Sequence, residues 1–418
     1  MDTLSSLVLR NVKLPSGRVA DITLEGGRVT HVGACQGTAD SLDCTGLLVL
    51  PAAIDMHVHM RGGDQSAKED WKSGSMSALA GGVTVIVDQP NTVPPINTVK
   101  HLGDRVCDAQ TNSWCNFAIN SSVTAQTHLE EMWRAGAMAF GETFFAPSSY
   151  GDAIGDAALT RAMGRIHAVD GLLTIHAEEV SDIPDTGLIS HDHCRSPEGE
   201  LQAVKAVQRL NKTGCRLHFC HLSTKRSIDA ASGTVEVTPH HLFLSLEDFE
   251  DNDPFGKVNP PLRTERERKH LWGRWDRIDI IASDHAPHTR EEKAQDFSCA
   301  PSGIPGVETL LPLLLARVIE GKIPLQSVIE KTSYKPAELL GIPRAGFSVG
   351  DRADFALYGR IPTPIITEML HSKCGWTPFE GHFALFPTTV IMGSRIVYQD
   401  GEFFRADPRW FSGKGLTS

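Results

Sequence analysis

The segment Asp55-Met56-His57-Val58-His59-Met60-Arg61 sets two imidazoles two residues apart at the end of an apolar run. In an extended strand, residues i and i+2 project from the same face. His57 and His59 can therefore present side-by-side nitrogen ligands of the kind a divalent metal takes. Single polar residues close other apolar runs: His176 after Leu172 to Ile175, His221 after Leu217 to Cys220, and Asp284 after Ile280 to Ser283. Each alone reads as an ordinary polar strand end; together they point to one shared site. Several imidazoles and a carboxylate form a borderline-hard ligand shell suited to zinc. The remaining histidines read differently. His218 lies three residues before His221, so strand alternation turns it away from the metal side, and His240-His241 reads as packing or support behind the ligands. His31, His101, His128 and His167 read as surface or helix residues.

Ligands on separate strands need a frame that gathers the strand ends. From about residue 47, apolar runs recur, each ending in polar residues and followed by a helix-like stretch. They are Leu47 to Met60, Val83 to Val87, Cys115 to Ile119, Ala137 to Phe140, Leu172 to Ile175, Arg216 to Cys220, Thr234 to Val237 and Ile278 to Ala282. Near-continuous apolar strands are those of a parallel sheet buried on both faces. Alternating with helices, these runs specify an α/β fold, a (β/α)8 TIM-type barrel, whose active sites lie at the C-terminal strand ends. Short strand-like runs flank it: Leu7-Val8-Leu9 and Val19 to Leu24 before, then Asp354 to Tyr358, Thr389 to Met392 and Ile396 to Tyr398 after. Neither terminal piece can build a core alone. The expected organisation is a small composite β-sandwich domain from residues 1–49 and 346–418, with the barrel over residues 50–345.

Bulk properties narrow the function classes. The 418 residues carry a formal net charge of −11, which argues against a nucleic-acid surface while leaving room for a locally basic pocket. No apolar run approaches the roughly 20 residues that span a bilayer, and Met1 to Arg10 lacks the pattern of a secretory signal. The nine cysteines contain no C-x-x-C pair, as expected of free thiols in a reducing compartment. A cytoplasmic protein is the expectation.

With these residues in hand, the sequence resembles the dihydroorotases of the amidohydrolase superfamily. The likeness rests on the H-V-H-x-R segment, Lys68-Glu69-Asp70 with Ser73-Gly74, Ala80 to Thr84, and Pro90-Asn91-Thr92. It continues through His176-Ala177-Glu178, His221 to Thr224, Glu236 to Leu242, Lys257 to Arg263, Ala282 to His288 and Gly303 to Glu308. Val349-Gly350-Asp351 and Pro378 to Gly381 resemble the family's closing β-domain. Carried over by position, the resemblance implies that His57, His59 and Asp284 hold one zinc ion while His176 and His221 hold another. Arg61, Asn91 and His288 would grip the substrate carboxylate, and Asn259 with the Pro305-Gly306 backbone would contact the ring amides. The implied reaction is reversible closure of N-carbamoyl-L-aspartate to L-dihydroorotate and water in pyrimidine biosynthesis, with Asp284 as the catalytic proton carrier.

Arg61 bears on the substrate by its own chemistry. It lies two residues beyond His59 and leaves the same strand end, where a guanidinium offers bidentate, charge-assisted hydrogen bonds to a carboxylate. The alternative for Arg61 is a pair with a neighbouring acid such as Asp64. One position departs from the commonest family pattern: many relatives place a carboxylated lysine at the fourth strand end to bridge two metals, and here Glu142 stands there. A carboxylate keeps the oxygen ligands and the single negative charge. Its side chain is shorter by roughly 3–4 Å, so either the strand end moves inward or one metal binds weakly. The expectation is a bridging Glu142. Rival readings are an allantoinase or hydantoinase acting on neutral rings, and a non-catalytic scaffold for aspartate transcarbamoylase; the retained ligand set argues against the scaffold. Aspartate transcarbamoylase and further copies of the chain are the candidate protein partners.

Overall fold

A computed structural model describes residues 6–35, 40–147 and 153–416. Residues 1–5, 36–39 and 417–418 of the expected composite domain lie outside the described residues. The N-terminal strands are β1 (Ser6–Lys13), β2 (Val19–Glu25), β3 (Arg28–Gly33), β4 (Ser41–Asp43) and β5 (Leu48–Pro51). The barrel strands follow: β6 (Ala53–Val58), β7 (Val83–Asp88), β8 (Asn116–Ile119), β9 (Phe140–Phe144), β10 (Leu172–His176), β11 (Arg216–Phe219), β12 (Thr234–Val237) and β13 (Ile280–Ile281). The C-terminal strands are β14 (Phe355–Tyr358), β15 (Thr363–Pro364), β16 (Phe383–Ala384), β17 (Pro387–Met392), β18 (Arg395–Gln399) and β19 (Glu402–Phe403).

The eight central strands make the barrel. They pair in parallel as β6-β7-β8 and β9 through β13. Bridges Ser121↔Phe140 and Val58↔His285 join the two arcs. Every residue of β6 and β7 is buried, as a sheet covered on both faces requires. Helices such as Trp71–Ala80, Val99–Asn112, Asp156–Ala168 and Pro197–Leu210 return the chain between strands. The fold is a TIM barrel with a β-sandwich domain. In that sandwich, one sheet runs β3-β2-β1-β4 and the other β19-β18-β17-β14-β5, so the second is built from both ends of the chain. Leu9, Ile22 and Leu24 pack with Val49, Phe355, Leu357 and Ile391 in a core of their own. The sandwich strands alternate, β2 burying every second residue, because only one face of each sheet meets that core.

Two strand expectations shift. The run Leu47 to Met60 is two strands in two sheets: β5 pairs antiparallel with β14, and β6 pairs parallel with β7. Both halves are buried and apolar, so periodicity cannot mark the change at Ala52. The fourth barrel strand is Phe140–Phe144 rather than Ala137 to Phe140. Apolarity ends at Gly141, but the backbone ladder runs on through Glu142 and Thr143. Among the described residues no helix is long and apolar enough to cross a membrane.

The barrel and sandwich meet at Gly82, which enters β7 with φ +86° and lies against Tyr358 of β14. An added Cβ would overlap the Tyr358 hydroxyl and sit in the left-handed region. Gly82→Ala should cost about 3 kcal/mol, combining strain with overpacking. Urea denaturation measures it, and a loss below about 1 kcal/mol would mean the join repacks freely.

Candidate active site at the barrel mouth

Five strand ends deliver one cluster. His57 lies in β6 and His59 just beyond it, Glu142 lies in β9, His176 closes β10, and His221 and Asp284 follow β11 and β13. All six are buried. Glu142 sits at the centre: its Oε1 accepts from His176 Nδ1 at 2.9 Å and His221 Nε2 at 2.8 Å, while Oε2 lies 3.6 Å from His57 Nε2. On the other side Asp284 Oδ1 lies 3.0 Å from His59 Nε2 and 3.4 Å from His57 Nε2. Burial pushes the Glu142 pKa up, but hydrogen bonds from His176 and His221 and the nearby His57 ring outweigh it and hold the carboxyl well below the usual range. For His57, burial disfavours charge, yet Glu236 and Asp284 hold its pKa well above the ordinary imidazole value.

The strand ends are shaped to bring these groups together. In the β9–β10 pairing the register shifts between Leu173 and Ile175, placing an extra residue in β9 where Glu142 projects. Bulges of this kind re-aim a side chain. Gly141 has φ +121°, and an added Cβ there would overlap Thr174 O. Arg61, His221 and Asp284 have φ of 42°, 34° and 46°, a left-handed backbone that costs on the order of 1–3 kcal/mol per residue.

The donors fit a cation. The groups His57–His59–Asp284 and His57–Glu142–His221 each bring their ligand atoms within 4.8 Å of one another. His57 Nε2 is buried without a hydrogen-bond partner and faces both carboxylates. A third trio, His57, Cys220 and Glu236, is equally compact. Burial pushes the Cys220 thiol up to about 12, which disfavours the thiolate form a metal takes. Glu236 is a support instead. It accepts from His57 Nδ1 at 2.9 Å, His218 Nε2 at 3.0 Å and the His221 backbone N–H at 3.0 Å. His218, expected to face away from the site, is thus tied to it from below. Glu178, held by Arg195 Nη1 at 2.6 Å, fixes His176 through Nε2 in the same way.

A cavity of about 380 Å³ opens over this cluster, with Arg61, Asn91 and Asn259 in its wall beside His59, Glu142 and Asp284. The backbone of Arg61 is held by Arg105, which donates to its carbonyl at 2.7 Å and pairs with Asp88 at 2.8 Å. His288 stands behind Arg61: Lys68 Nζ lies 3.3 Å from its Nδ1, and its Nε2 lies 3.2 Å from Ser302 O. Burial first, then Arg61 and Lys68, press its pKa far down, so it is neutral. Pro305 and Gly306, expected at the ring amides, are not among the residues lining this cavity. The Gly306 N–H is 3.1 Å from His285 Nδ1, and the cavity wall there is Ala300 to Gly303. Two further wall residues, Asp185 and His191, went unremarked in the sequence, and Glu236 and Glu178 stood there only within matching segments, with no role of their own. For Glu236 a signal was present, an acid in the middle of the apolar strand Thr234–Val237.

Removing the Glu236 carboxylate should loosen the cluster without touching a ligand. Glu236→Gln turns an amide N–H toward a group that also donates. Affinity for zinc, measured by chelator competition, should fall 10–100-fold with the fold intact. Unchanged affinity would reduce Glu236 to a packing residue.

Comparison with known proteins agrees with this geometry. Residues 48–375 match the amidohydrolase family. The chain is 40% identical to the dihydroorotase of Methanosarcina acetivorans over 92% of its own length and 89% of that protein. It is 41% identical to the dihydroorotase of Halobacterium salinarum, over 94% and 97%. Among solved structures, the L-hydantoinase (dihydropyrimidinase) of Arthrobacter aurescens superposes with a TM-score of 0.91 at 25% identity, covering 98% of this chain and 100% of that one. The chain belongs to the amidohydrolase family, among its dihydroorotases.

Proposed function

We propose that this chain is a dihydroorotase, interconverting N-carbamoyl-L-aspartate with L-dihydroorotate and water in de novo pyrimidine biosynthesis. The observation that carries this reading is one cavity combining the imidazole–carboxylate cluster with Arg61 and Asn91. A cyclic amide with an acidic substituent needs both. Residues 50–345 would carry the chemistry, and residues 1–49 with 346–418 would form the supporting domain.

Zinc is the metal we assign, two ions per subunit. His57, His59 and Asp284 would hold one and His176 and His221 the other, with Glu142 between them. The placing of Glu142 Oε1 against two of these histidines and Oε2 toward a third supports that arrangement. Bound there, zinc would supply Lewis acidity and lower the pKa of water. Arg61, Asn91 and His288 would bind the ring carboxylate. Asn259 contacts the ureide. Asp284 Oδ1 takes the proton of the attacking water and delivers it to the ring nitrogen as the C–N bond breaks. Its carboxyl suits that work: burial raises its pKa, but His57 and His59 bring it below the ordinary value, so it starts as a base. Ring closure runs the same steps in reverse. A cytoplasmic enzyme fits the nine free cysteines; self-association or assembly with aspartate transcarbamoylase rests on the resemblance alone.

A substrate panel tests the reading. The zinc-loaded protein should open dihydroorotate and leave allantoin, hydantoin and dihydrouracil nearly untouched; the reverse pattern would move it to the hydantoinases and keep the reaction class. A second measurement addresses Glu142. Dialysed protein should regain full activity with zinc alone, and a requirement for added bicarbonate would rule out an unmodified bridge.

A further inference from the structure

Part of the cavity wall is built by groups with no role in ring opening. His191 lies in the short helix Leu188–Cys194, buried, with its ring reaching the cavity. Both nitrogens are engaged. Nδ1 is 3.1 Å from Asp185 Oδ1, and Nε2 is 3.0 Å from Val258 O and 2.9 Å from Asn259 Oδ1. The Phe297 ring packs edge-on at 6.0 Å. Asp185 is steadied in turn by Lys257 Nζ at 3.4 Å, and Lys257 donates to Phe297 O at 2.7 Å. Burial raises the Asp185 carboxyl, but His191 and Lys257 outweigh it and keep it ionised.

This arrangement settles which way an amide faces. Val258 O can only accept, so Nε2 carries a proton, and that N–H also reaches Asn259. An asparagine amide is told apart from its flipped form only by its partners. An N–H on the His191 side requires the oxygen there and directs Nδ2 away from His191. Asn259 itself lines the cavity.

We propose that His191, anchored by Asp185, is a positioning residue that locks the Asn259 amide so that its NH2 donates to the ureide carbonyl oxygen between the two ring nitrogens. The inference rests on the dihydroorotase reading. In its terms the site selects a ring with a strong acceptor at that position, and His191 sets the selection without touching the substrate. A side chain held by an anchored neighbour loses little freedom on binding, which favours affinity over turnover.

The test compares dihydroorotate with its analogue bearing sulfur at that carbonyl, a weaker acceptor, on zinc-loaded wild type and His191→Phe. Phenylalanine keeps the packing against Phe297 and removes both ring nitrogens. Wild type should prefer oxygen over sulfur by about tenfold, the worth of one hydrogen bond. His191→Phe should raise KM for dihydroorotate by about tenfold, change kcat much less, bind zinc as before, and lose most of the oxygen preference. His191→Gln, which keeps a donor, should restore part of it. Should the phenylalanine variant not fold, Asp185→Ala unseats the ring without emptying its pocket and must shift the preference in the same direction. An oxygen preference unchanged in these variants overturns the proposal, as does a loss of kcat and zinc at constant KM. If wild type binds neither ring, the dihydroorotase reading falls and this inference with it. If wild type opens dihydroorotate and the variants discriminate as it does, the inference falls alone.

Discussion

Matching buried carboxylates with imidazoles is the constraint on which the barrel mouth depends. A carboxylate withdrawn from water costs several kcal/mol unless it is paired and hydrogen-bonded. Glu142 meets that demand with His176, His221 and His57, and Glu236 meets it one layer down with His57, His218 and the His221 backbone. His57 belongs to both layers. Its Nδ1 is committed to Glu236, which leaves Nε2 as the nitrogen that can face a metal, so the lower layer fixes the ring orientation of the upper one.

Reach is the second constraint, and the backbone meets it. A glutamate side chain is short for reaching several strand ends from a regular strand. In β9 the extra residue opposite Leu173–Ile175 and the glycine at 141 let the carboxylate approach three strands at once. The left-handed residues Arg61, His221 and Asp284 do similar work at other strand ends, turning a side chain inward just as its strand stops. Strain gathers where the geometry is most demanding. That the neighbouring network tolerates it follows from how many bonds would be broken by relaxing any one of them.

Much of the fold was legible because a barrel strand buried on both faces writes a near-continuous apolar run, as β7, β8 and β10 do, with β11 and β12 interrupted by His218 and Glu236. The same signal fails where burial continues across a change of sheet, as at Ala52, or where function interrupts it, as at Glu142. The strand-end residues His57, His59, His176, His221 and Asp284 were readable because each ends such a run, and the structure gathers them in one place. The supports were not. Glu236 meets His57 across 179 residues of sequence, and His218 joins them only through Glu236, partners that no local pattern reveals. Backbone contacts are harder still: that Ala300 to Gly303 line the cavity, while the Gly306 N–H is 3.1 Å from His285 Nδ1, follows no local pattern.

The division between strand ends and loops also explains why the fold says less than the site about substrate. A hydantoinase superposes over nearly the whole chain at 25% identity, whereas archaeal dihydroorotases match at 40–41%. The candidate ligands sit on strand ends, which the shared fold carries. Discrimination must come from groups just beyond them, and Arg61 is two residues past His59 with its backbone pinned by Arg105 and Asp88. A carboxylated ring can meet a guanidinium in the wall of a cavity with charge-assisted hydrogen bonds that a neutral ring cannot. Sites built around a polar group reject analogues that lack it far more strongly than apolar pockets reject a missing methylene. Under the proposed function, the charge of Arg61, held in place by a buried ion pair, would do more to choose the substrate than the shape of the barrel around it.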